Sequence, residues 1–297
     1  MHLQSKRAVV VGLCVVMFVA ARGMGEASPS LSVMSFNMWH KDRPRELGTM
    51  VKQLREDLKQ LPDFVVCQEV VFGRDGKQDN TAKVLGDLMG YQTRGTKRRG
   101  DGEGVAIVSR YPFAYYGELH LKAQTTKLLL GFNRVSVMGE FMVPGIGRVR
   151  VVDVHLTNWG FEGHVRRRQI AETLEWIGKR EAEVQAVVTV FGGDFNAKIE
   201  WGEMKQVTEK GAAGSVVFQD FNSKEGSMGL PGTPNKRIDH IFVSAAGLEA
   251  GLVLEKLFWR EGLRDGKSRF YVSDHMCLLH VYSFNGAAVA AGREMAH

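Results

Sequence analysis

The sequence has few cysteines and few prolines, and none of its apolar runs is long enough for a typical membrane span. Only three of its 297 residues are cysteine, and no CxxC or Cys/His spacing indicates a zinc site. The apolar run AVVVGLCVVMFVA near the start is shorter than the roughly 20 residues of a transmembrane helix. No internal repeat or linker divides the chain. The composition, 44% hydrophobic and 24% charged, is that of an ordinary globular protein and excludes a disordered or fibrous one.

The first residues have the three-part layout of a secretory signal. Lys6 and Arg7 precede the apolar run, and the small residues of ARGMGEAS follow it, as a cleavage site requires. The sequence therefore predicts a signal peptide at residues 1–27 and a secreted or periplasmic protein, with an uncleaved membrane anchor as the alternative. Removal of this segment takes away three basic residues and one acidic residue, which reduces the net charge from +6 to +4. The basic balance thus favours a polyanionic partner only mildly.

Two cysteines remain after the signal segment, which contains Cys14. Cys67 and Cys277 each lie in an apolar, strand-like run. An exported protein can pair two such residues, and two buried thiols are the equal alternative.

From about residue 30, short strand-like runs alternate with longer helical ones. LSVMSFN, DFVVCQEV, RVRVVDVHL and AVVTVF are typical of strands, whereas the spacing of Ile170, Leu174 and Ile177 is typical of an amphipathic helix. Strands dominate, which predicts an α/β sandwich of two packed sheets flanked by helices. We expect this domain at residues 28–283, with a loop at 221–237 and a flexible tail at 284–297.

Polar side chains stand at the ends of several predicted strands. They are Asn37, Gln68 with Glu69, His155, Asp194 with Asn196, Asp239, and Asp274 with His275. One such residue is usually a turn former or a cap, but the coincidence of six positions predicts a shared site. Buried carboxylates need a cation or hydrogen bonds among themselves, so these side chains are expected to converge on one end of the sandwich.

The types of side chain narrow the chemistry of this site. The oxygens of Asn37, Glu69, Asp239 and Asp274 suit Mg²⁺, Mn²⁺ or Ca²⁺ better than zinc. Histidines beside a hard cation suit acid/base work or stabilisation of an oxyanion. The combination favours phosphoryl chemistry, in which a carboxylate activates water while the metal neutralises the phosphate.

The stretch GGDFNA supplies the acid and the amide for that reaction. Residues two apart in a strand point to the same side, so both polar side chains can face one site. In this interpretation Asp194 meets the attacking water and Asn196 holds a phosphate oxygen.

An ordered set of motifs in the chain resembles the endonuclease/exonuclease/phosphatase superfamily of metal-dependent phosphoesterases. The matching blocks run from about residue 31 to 282 and read SFNMW, CQEV, EGVAIVSR, VDVHLTN, GGDFNA, RIDHIFVS and SDHM. The resemblance implies a four-layered α/β sandwich, with two mostly antiparallel sheets and the site at one end. It also implies that Asn37 and Glu69 hold the metal, Mg²⁺ or Mn²⁺, with Asp274 nearby as a further metal ligand or as a water orienter.

The resemblance implies roles for the histidines as well. His155 would stabilise or protonate phosphate oxygens, with Glu103 orienting it as in the deoxyribonuclease-like branch. Asp239 would orient His275, which contacts the phosphate. A carboxylate behind each imidazole fixes its tautomer and raises its basicity.

The chain departs from its relatives after His155, and it lacks the disulfide framework of secreted pancreatic-type nucleases. In LTNWG, Asn158 and Trp159 are candidates to line the substrate pocket. Three basic clusters stand close to the catalytic strands: Lys97–Arg99, Arg166–Arg168 and Lys236–Arg237. Arg166 and Arg237 are the candidate substrate contacts among them. Such clusters favour an extended or multiply phosphorylated anion. For Arg166–Arg168 the alternatives are a solvated helix face or pairing with Glu172.

The sequence therefore predicts an exported, divalent-metal-dependent phosphodiesterase that is nuclease-like, with nucleic acid as its substrate. A phospholipid, sphingomyelin or inositol-phosphate substrate is the first alternative, and a binding protein that has lost activity on the same fold is the second. No stable protein partner is implied, and a monomer is expected.

Overall fold

The structure, a computed structural model, describes residues 28–39, 44–73, 80–98, 102–123, 133–158, 162–209, 216–221, 228–230, 233–260 and 273–284. The predicted signal peptide, Arg99, Trp159 and residues 285–297 lie outside this part of the chain. Its strands are β1 (Ser30–Asn37), β2 (Phe64–Val71), β3 (Gln92–Lys97), β4 (Glu103–Ser109), β5 (Tyr115–His120), β6 (Val135–Val143), β7 (Gly147–His155), β8 (Val188–Asp194), β9 (Phe218–Asp220), β10 (Met228–Leu230), β11 (Thr233–Lys236), β12 (Asp239–Ser244), β13 (Leu252–Arg260) and β14 (Cys277–Phe284). Its helices are α1 (Pro44–Leu58), α2 (Thr81–Met89), α3 (Gly163–Glu183), α4 (Lys205–Thr208) and α5 (Ala245–Glu249).

Twelve of the strands form two six-stranded sheets, which confirms the predicted sandwich. The first sheet has the order β13-β14-β1-β2-β4-β3 and the second β5-β6-β7-β8-β12-β9. Most neighbours are antiparallel, but each sheet contains one parallel pair, β1 with β2 and β7 with β8. A parallel pair needs a crossover, which α1 and α3 provide, so each sheet contains one βαβ unit.

The hydrophobic core is divided into three layers. A central cluster lies between the sheets and contains residues such as Val66, Val151 and Ile241. A second cluster packs α1 and α2 on the first sheet, and a third packs α3 on the second sheet. In α3 the predicted stripe of Ile170, Leu174 and Ile177 is buried in that third cluster.

Two stretches of the turn-rich segment at 221–237, which was predicted as a loop, form strands. Met228–Leu230 and Thr233–Lys236 pair as a short antiparallel ribbon. The ribbon leads directly into β12, which carries Asp239.

The two remaining cysteines are both buried thiols, which resolves the alternative left by the sequence. Cys67 lies on β2 and Cys277 on β14, and β1 lies between these strands. Two strand spacings of about 4.8 Å separate them, which exceeds the roughly 7 Å between Cα atoms that a disulfide spans.

None of the helices within the described residues combines the length and the apolar character that crossing a membrane requires.

Candidate active site

The ends of the two parallel strand pairs meet at one end of the sandwich. Asn37 ends β1, and Glu69 lies near the end of β2. His155 and Asp194 end β7 and β8 in direct register, and Asp239, at the start of β12, pairs with Asp194. Ligands of α/β sheets commonly bind beyond the carboxyl ends of parallel strands. Both sheets therefore contribute side chains to one site.

Glu69 reaches this site through a break in the strand register. The pairing of β2 with β4 shifts between Cys67 and Val70, which is the signature of a β-bulge. Glu69 itself has a φ of 52°, in the left-handed region that non-glycine residues seldom adopt. Trp39 and Asn196 beside the site have similar φ values of 52° and 48°. Strained backbone of this kind is concentrated at functional sites.

Asn37 is fully buried and links two carboxylates. Its Nδ2 donates to Glu69 Oε1 at 3.2 Å and to Asp194 Oδ2 at 3.1 Å. Its Oδ1 accepts from the Trp39 N–H at 2.9 Å. The amide thus holds together carboxylates from the two sheets, and its predicted role as a metal ligand stays a prediction.

Asp194 is presented by a glycine whose conformation excludes a side chain. Gly193 has a φ of 137°, and a Cβ there would lie 2.1 Å from the Val154 carbonyl oxygen. Asp194 Oδ1 then accepts from the Asn196 N–H at 2.8 Å, and Asn196 Nδ2 donates to Leu156 O. The two polar residues of GGDFNA therefore lie in one turn at the site.

The pKa of the Asp194 carboxyl is raised to about 7. Burial is the main cause, and the nearby charges of Asp239 and Glu69 add to it, while His275 opposes it. A carboxylate with such a pKa can accept a proton near neutral pH.

His275 is a buried cation. Its Nδ1 lies 2.8 Å from Asp239 Oδ2, and its Nε2 lies 3.8 Å from Asp194 Oδ2. Burial alone would lower its pKa, but Asp239, Asp194 and Asp274 outweigh burial and raise the pKa to about 10. The ring is thus protonated at neutral pH. Asp239 contacts its Nδ1, as the resemblance implied.

His155 has a different environment. Its Nε2 lies 3.6 Å from Asp194 Oδ2, and its Nδ1 lies 3.0 Å from Nη1 of Arg134. Glu103, expected behind this ring, accepts from Arg98 Nη2 at 2.6 Å. Burial, followed by Arg134 and Arg98, lowers the pKa of His155 well below its ordinary value. Arg134, which no motif marked, therefore occupies the Nδ1 position expected for Glu103.

The site lines a cleft of about 400 Å³. Its walls are formed by Trp39, Glu69, His155, Asn158, Asp194, Asn196, Lys198, Trp201, Lys236, Ile238, Asp274 and His275. Asn158 is exposed at its edge, which agrees with its expected place in the pocket. Trp201 and Lys198 were not singled out in the sequence, since they follow the GGDFNA motif without a pattern of their own.

The donor set of the cleft fits a hard divalent cation. Glu69, Asp194 and Asp274 present carboxylate oxygens, and Asp274 Oδ1 is buried with no hydrogen-bond partner among the described residues. Burial and the charge of Glu69 raise the pKa of Asp274. Two triads bring carboxylate and imidazole atoms within 4.8 Å of one another, Glu69-His155-Asp194 and Asp194-Asp239-His275. Because His275 is protonated, the second triad offers only its two carboxylates to a cation. Oxygen ligands of this kind suit Mg²⁺ and Mn²⁺.

Two predicted substrate contacts are placed elsewhere by the structure. Arg166 is 1% exposed and donates to Glu203 from Nε at 2.9 Å and from Nη2 at 2.7 Å. Arg237 is 9% exposed and pairs with Asp220 at 2.8 Å. Both guanidinium groups are held by carboxylates inside the fold, so neither is an open anion contact. The alternative partner considered for Arg166 was Glu172, but its partner is Glu203.

Fold and site together are those of a metal-dependent phosphoesterase. The chain belongs to the Endonuclease/Exonuclease/phosphatase family, whose model matches residues 34–275. It is therefore a phosphoric ester hydrolase of a divalent-metal-dependent family.

Solved structures share this fold at low sequence identity. An endonuclease/exonuclease/phosphatase from Bacteroides vulgatus has a TM-score of 0.64 at 18% identity, covering 87% of this chain and 100% of that one. TDP2 of D. rerio, complexed with a single-strand DNA product, has a TM-score of 0.63 at 15% identity, covering 86% and 100%. ANGEL2, a 2',3'-cyclic phosphatase, has a TM-score of 0.64 at 17% identity, covering 86% and 95%. No curated protein matches the chain significantly.

Proposed function

We propose that the protein is an exported Mg²⁺- or Mn²⁺-dependent phosphodiesterase that hydrolyses a P–O bond of nucleic acid by attack of water. The observation that carries this proposal is the cleft itself. It is lined by the carboxylates of Glu69, Asp194 and Asp274 and by the imidazoles of His155 and His275, of which His275 is cationic. Aromatic and basic side chains, Trp39, Trp201, Lys198 and Lys236, line it as well.

The chemistry follows from the environment of each group. A cation held by Glu69 and Asp274, with Asp194 beside it, would neutralise charge on the phosphate. Asp194 receives the proton of the attacking water as the bond from phosphorus to the leaving oxygen breaks, and its burial beside Asp239 raises its pKa above the ordinary value, which favours proton uptake. His275, as a cation, stabilises negative charge on the phosphoryl oxygens, and Asn196 donates a further hydrogen bond.

The rim of the cleft supports a nucleic-acid substrate. Trp39 and Trp201 offer ring surface on which bases can stack, and Lys198 and Lys236 offer charge for flanking phosphates. Arg166 lies 5.2 Å from the centroid of the Trp201 ring, so a buried ion pair with Glu203 fixes that ring from beneath. TDP2, which shares the fold, was solved with a single-strand DNA product.

A lipid substrate has less support in the described residues. The large apolar side chains that they expose are Leu88, Met142 and Val253, and none of these lines the cleft. Binding to a bilayer would require an apolar surface beside the site.

Export and a monomeric state are part of the proposal. The signal-like layout of residues 1–27 supports export. N-terminal sequencing of the protein secreted from an export-competent host tests the expected cleavage after Ala27, and an intact N-terminus in the membrane fraction would favour the anchor instead.

The metal assignment is tested by Glu69→Ala, with Glu175→Ala on the exposed face of α3 as the matched control. Titration calorimetry should show weaker Mn²⁺ binding only in the Glu69 variant, and its hydrolysis should fall by at least about 10²-fold because charge on the phosphate is no longer neutralised. Turnover like that of the wild type in Glu69→Ala would refute this assignment.

The substrate is tested with supercoiled plasmid, single-stranded oligonucleotides, and liposomes of sphingomyelin or phosphoinositide. Each is incubated with Mg²⁺, Mn²⁺ or EDTA. Metal-dependent cleavage of nucleic acid that is weakened by Trp201→Leu, but not by Trp176→Leu on the outer helix, would support the proposal. Release of lipid head groups with intact nucleic acid would overturn it.

A further inference from the structure

The side chain behind His155 is an arginine that the motifs did not mark. Arg134 immediately precedes β6, is 4% exposed, and places Nη1 3.0 Å from His155 Nδ1. A guanidinium group carries only donors, so Nδ1 must be the acceptor in this contact. In a neutral ring the single proton then resides on Nε2.

We propose that Arg134 is a positioning residue that holds His155 as the neutral Nε2–H tautomer, so that this ring donates a hydrogen bond to the substrate phosphate. The proposal rests on the function proposed above. It assigns different roles to the two histidines, because His275 has a carboxylate, Asp239, behind its Nδ1.

The Nε2 atom of His155 lies in the cleft, where a proton on it can contact a ligand. It lies 3.6 Å from Asp194 Oδ2 and 4.0 Å from Glu69 Oε1, and the ring lines the cleft. These distances are too long for direct hydrogen bonds, so the Nε2–H remains available to an oxygen of a ligand in the cleft. A fixed donor at such a place stabilises developing negative charge without reorganisation.

The surrounding charges keep the two partners in the required states. The titratable and charged groups around the ring are Arg134, Arg98, Glu103, Asp194, Glu69 and His275. Burial and then Arg98 lower the pKa of Arg134 to about 10, which leaves it a cationic donor at neutral pH. The same burial and the two arginines oppose a charge on His155.

The tautomer is measured directly by NMR of the metal-free full chain labelled with ¹⁵N-histidine. The expected result is an unprotonated Nδ1 and a protonated Nε2 on His155 at neutral pH, because the Arg134 guanidinium lies 3.0 Å from Nδ1 and burial lowers the pKa of the ring. Assignment uses His155→Gln. A protonated Nδ1, or an imidazolium on His155 at neutral pH, would overturn the proposal whether or not the protein has been shown to cleave any substrate.

Variants separate the hydrogen bond from the positive charge. Arg134→Lys retains a donor and should retain the tautomer, whereas Arg134→Met should give mixed tautomers and a ring that titrates at a higher pH. Arg98→Met is the matched control, because it removes a buried charge that bonds to Glu103. Mixed tautomers in Arg98→Met and none in Arg134→Met would contradict the assignment.

Kinetics then test the role in catalysis. Arg134→Met should lower kcat by about 10²-fold, the scale of one oriented transition-state hydrogen bond, with Mn²⁺ affinity retained and partial rescue in Arg134→Lys. An unchanged kcat beside an altered tautomer would refute the positioning role while leaving the proposed hydrolysis intact.

Discussion

Replacement of Asp239 by asparagine should make His275 a neutral imidazole near neutral pH. Asp239 Oδ2 lies 2.8 Å from the ring nitrogen, and both side chains are buried. The pKa of His275 at about 10, against an ordinary value of 6.5, corresponds to roughly 5 kcal/mol in favour of the charged ring at about 1.4 kcal/mol per tenfold change. Asparagine removes the negative charge that offsets the effect of burial on His275, so the pKa of His275 should fall to neutral pH or below it.

This change has a definite pH dependence. Since the pKa of His275 is higher in the folded state, its stabilisation is fully present below about pH 6.5 and is lost as the pH rises through about 10. Urea unfolding in EDTA should therefore show Asp239→Asn about 3–5 kcal/mol less stable than the wild type at pH 6. The difference should shrink steadily as the pH approaches 10.

Activity should follow the same charge. With Mg²⁺ at pH 8, Asp239→Asn should lower kcat by about 10²-fold, because the neutral ring stabilises phosphate charge less, and part of the loss should be recovered towards pH 6. Asp87→Asn, an exposed change on α2, should alter neither quantity. A His275 resonance that titrates near pH 6.5 in the metal-free wild type would refute the reasoning.

Three further predictions concern buried residues that support the site without lining the cleft. Glu140→Gln removes the buried carboxylate that accepts from Arg150 Nη2 at 2.8 Å, so it should cost about 3 kcal/mol in urea unfolding while kcat at 25 °C is retained. Gly193→Ala places a Cβ 2.1 Å from Val154 O, and we expect a fall in melting temperature of 5 °C or more, at roughly 2–4 °C per kcal/mol; an unchanged melting curve would contradict it. Arg166→Met should weaken oligonucleotide binding through Trp201, which fluorescence titration measures, and unchanged affinity would show that the ring needs no support from below.

The positions of the site were predictable because they obey strand geometry. Asn37, His155 and Asp194 each end a strand in an apolar run. Parallel pairing brings the ends of β7 and β8 together, and the packing of the two sheets brings Asn37 to them. The bulge that turns Glu69 into the cleft was not predictable, because a register shift depends on the opposite strand.

The arginines show what sequence reasoning lacked. Arg166 was expected to face a substrate, but its partner Glu203 lies 37 residues further along the chain. Arg134 contacts a ring 21 residues away. Contacts between residues so far apart in the sequence leave no local pattern. A buried charge also needs a partner, and only the folded chain shows which residue that partner is.

The spacing between the two sheets determines how far apart the two groups of site residues lie. Glu69 and Asp274 come from the first sheet and its flanking turn, whereas His155, Asp194 and Asp239 come from the second. The distance between the two groups is set by the apolar layer between the sheets, and by the buried hydrogen bond from Gln68 Nε2 to Asp153 Oδ1 at 2.6 Å. A methylene added or removed in that layer can therefore tune turnover from well outside the cleft.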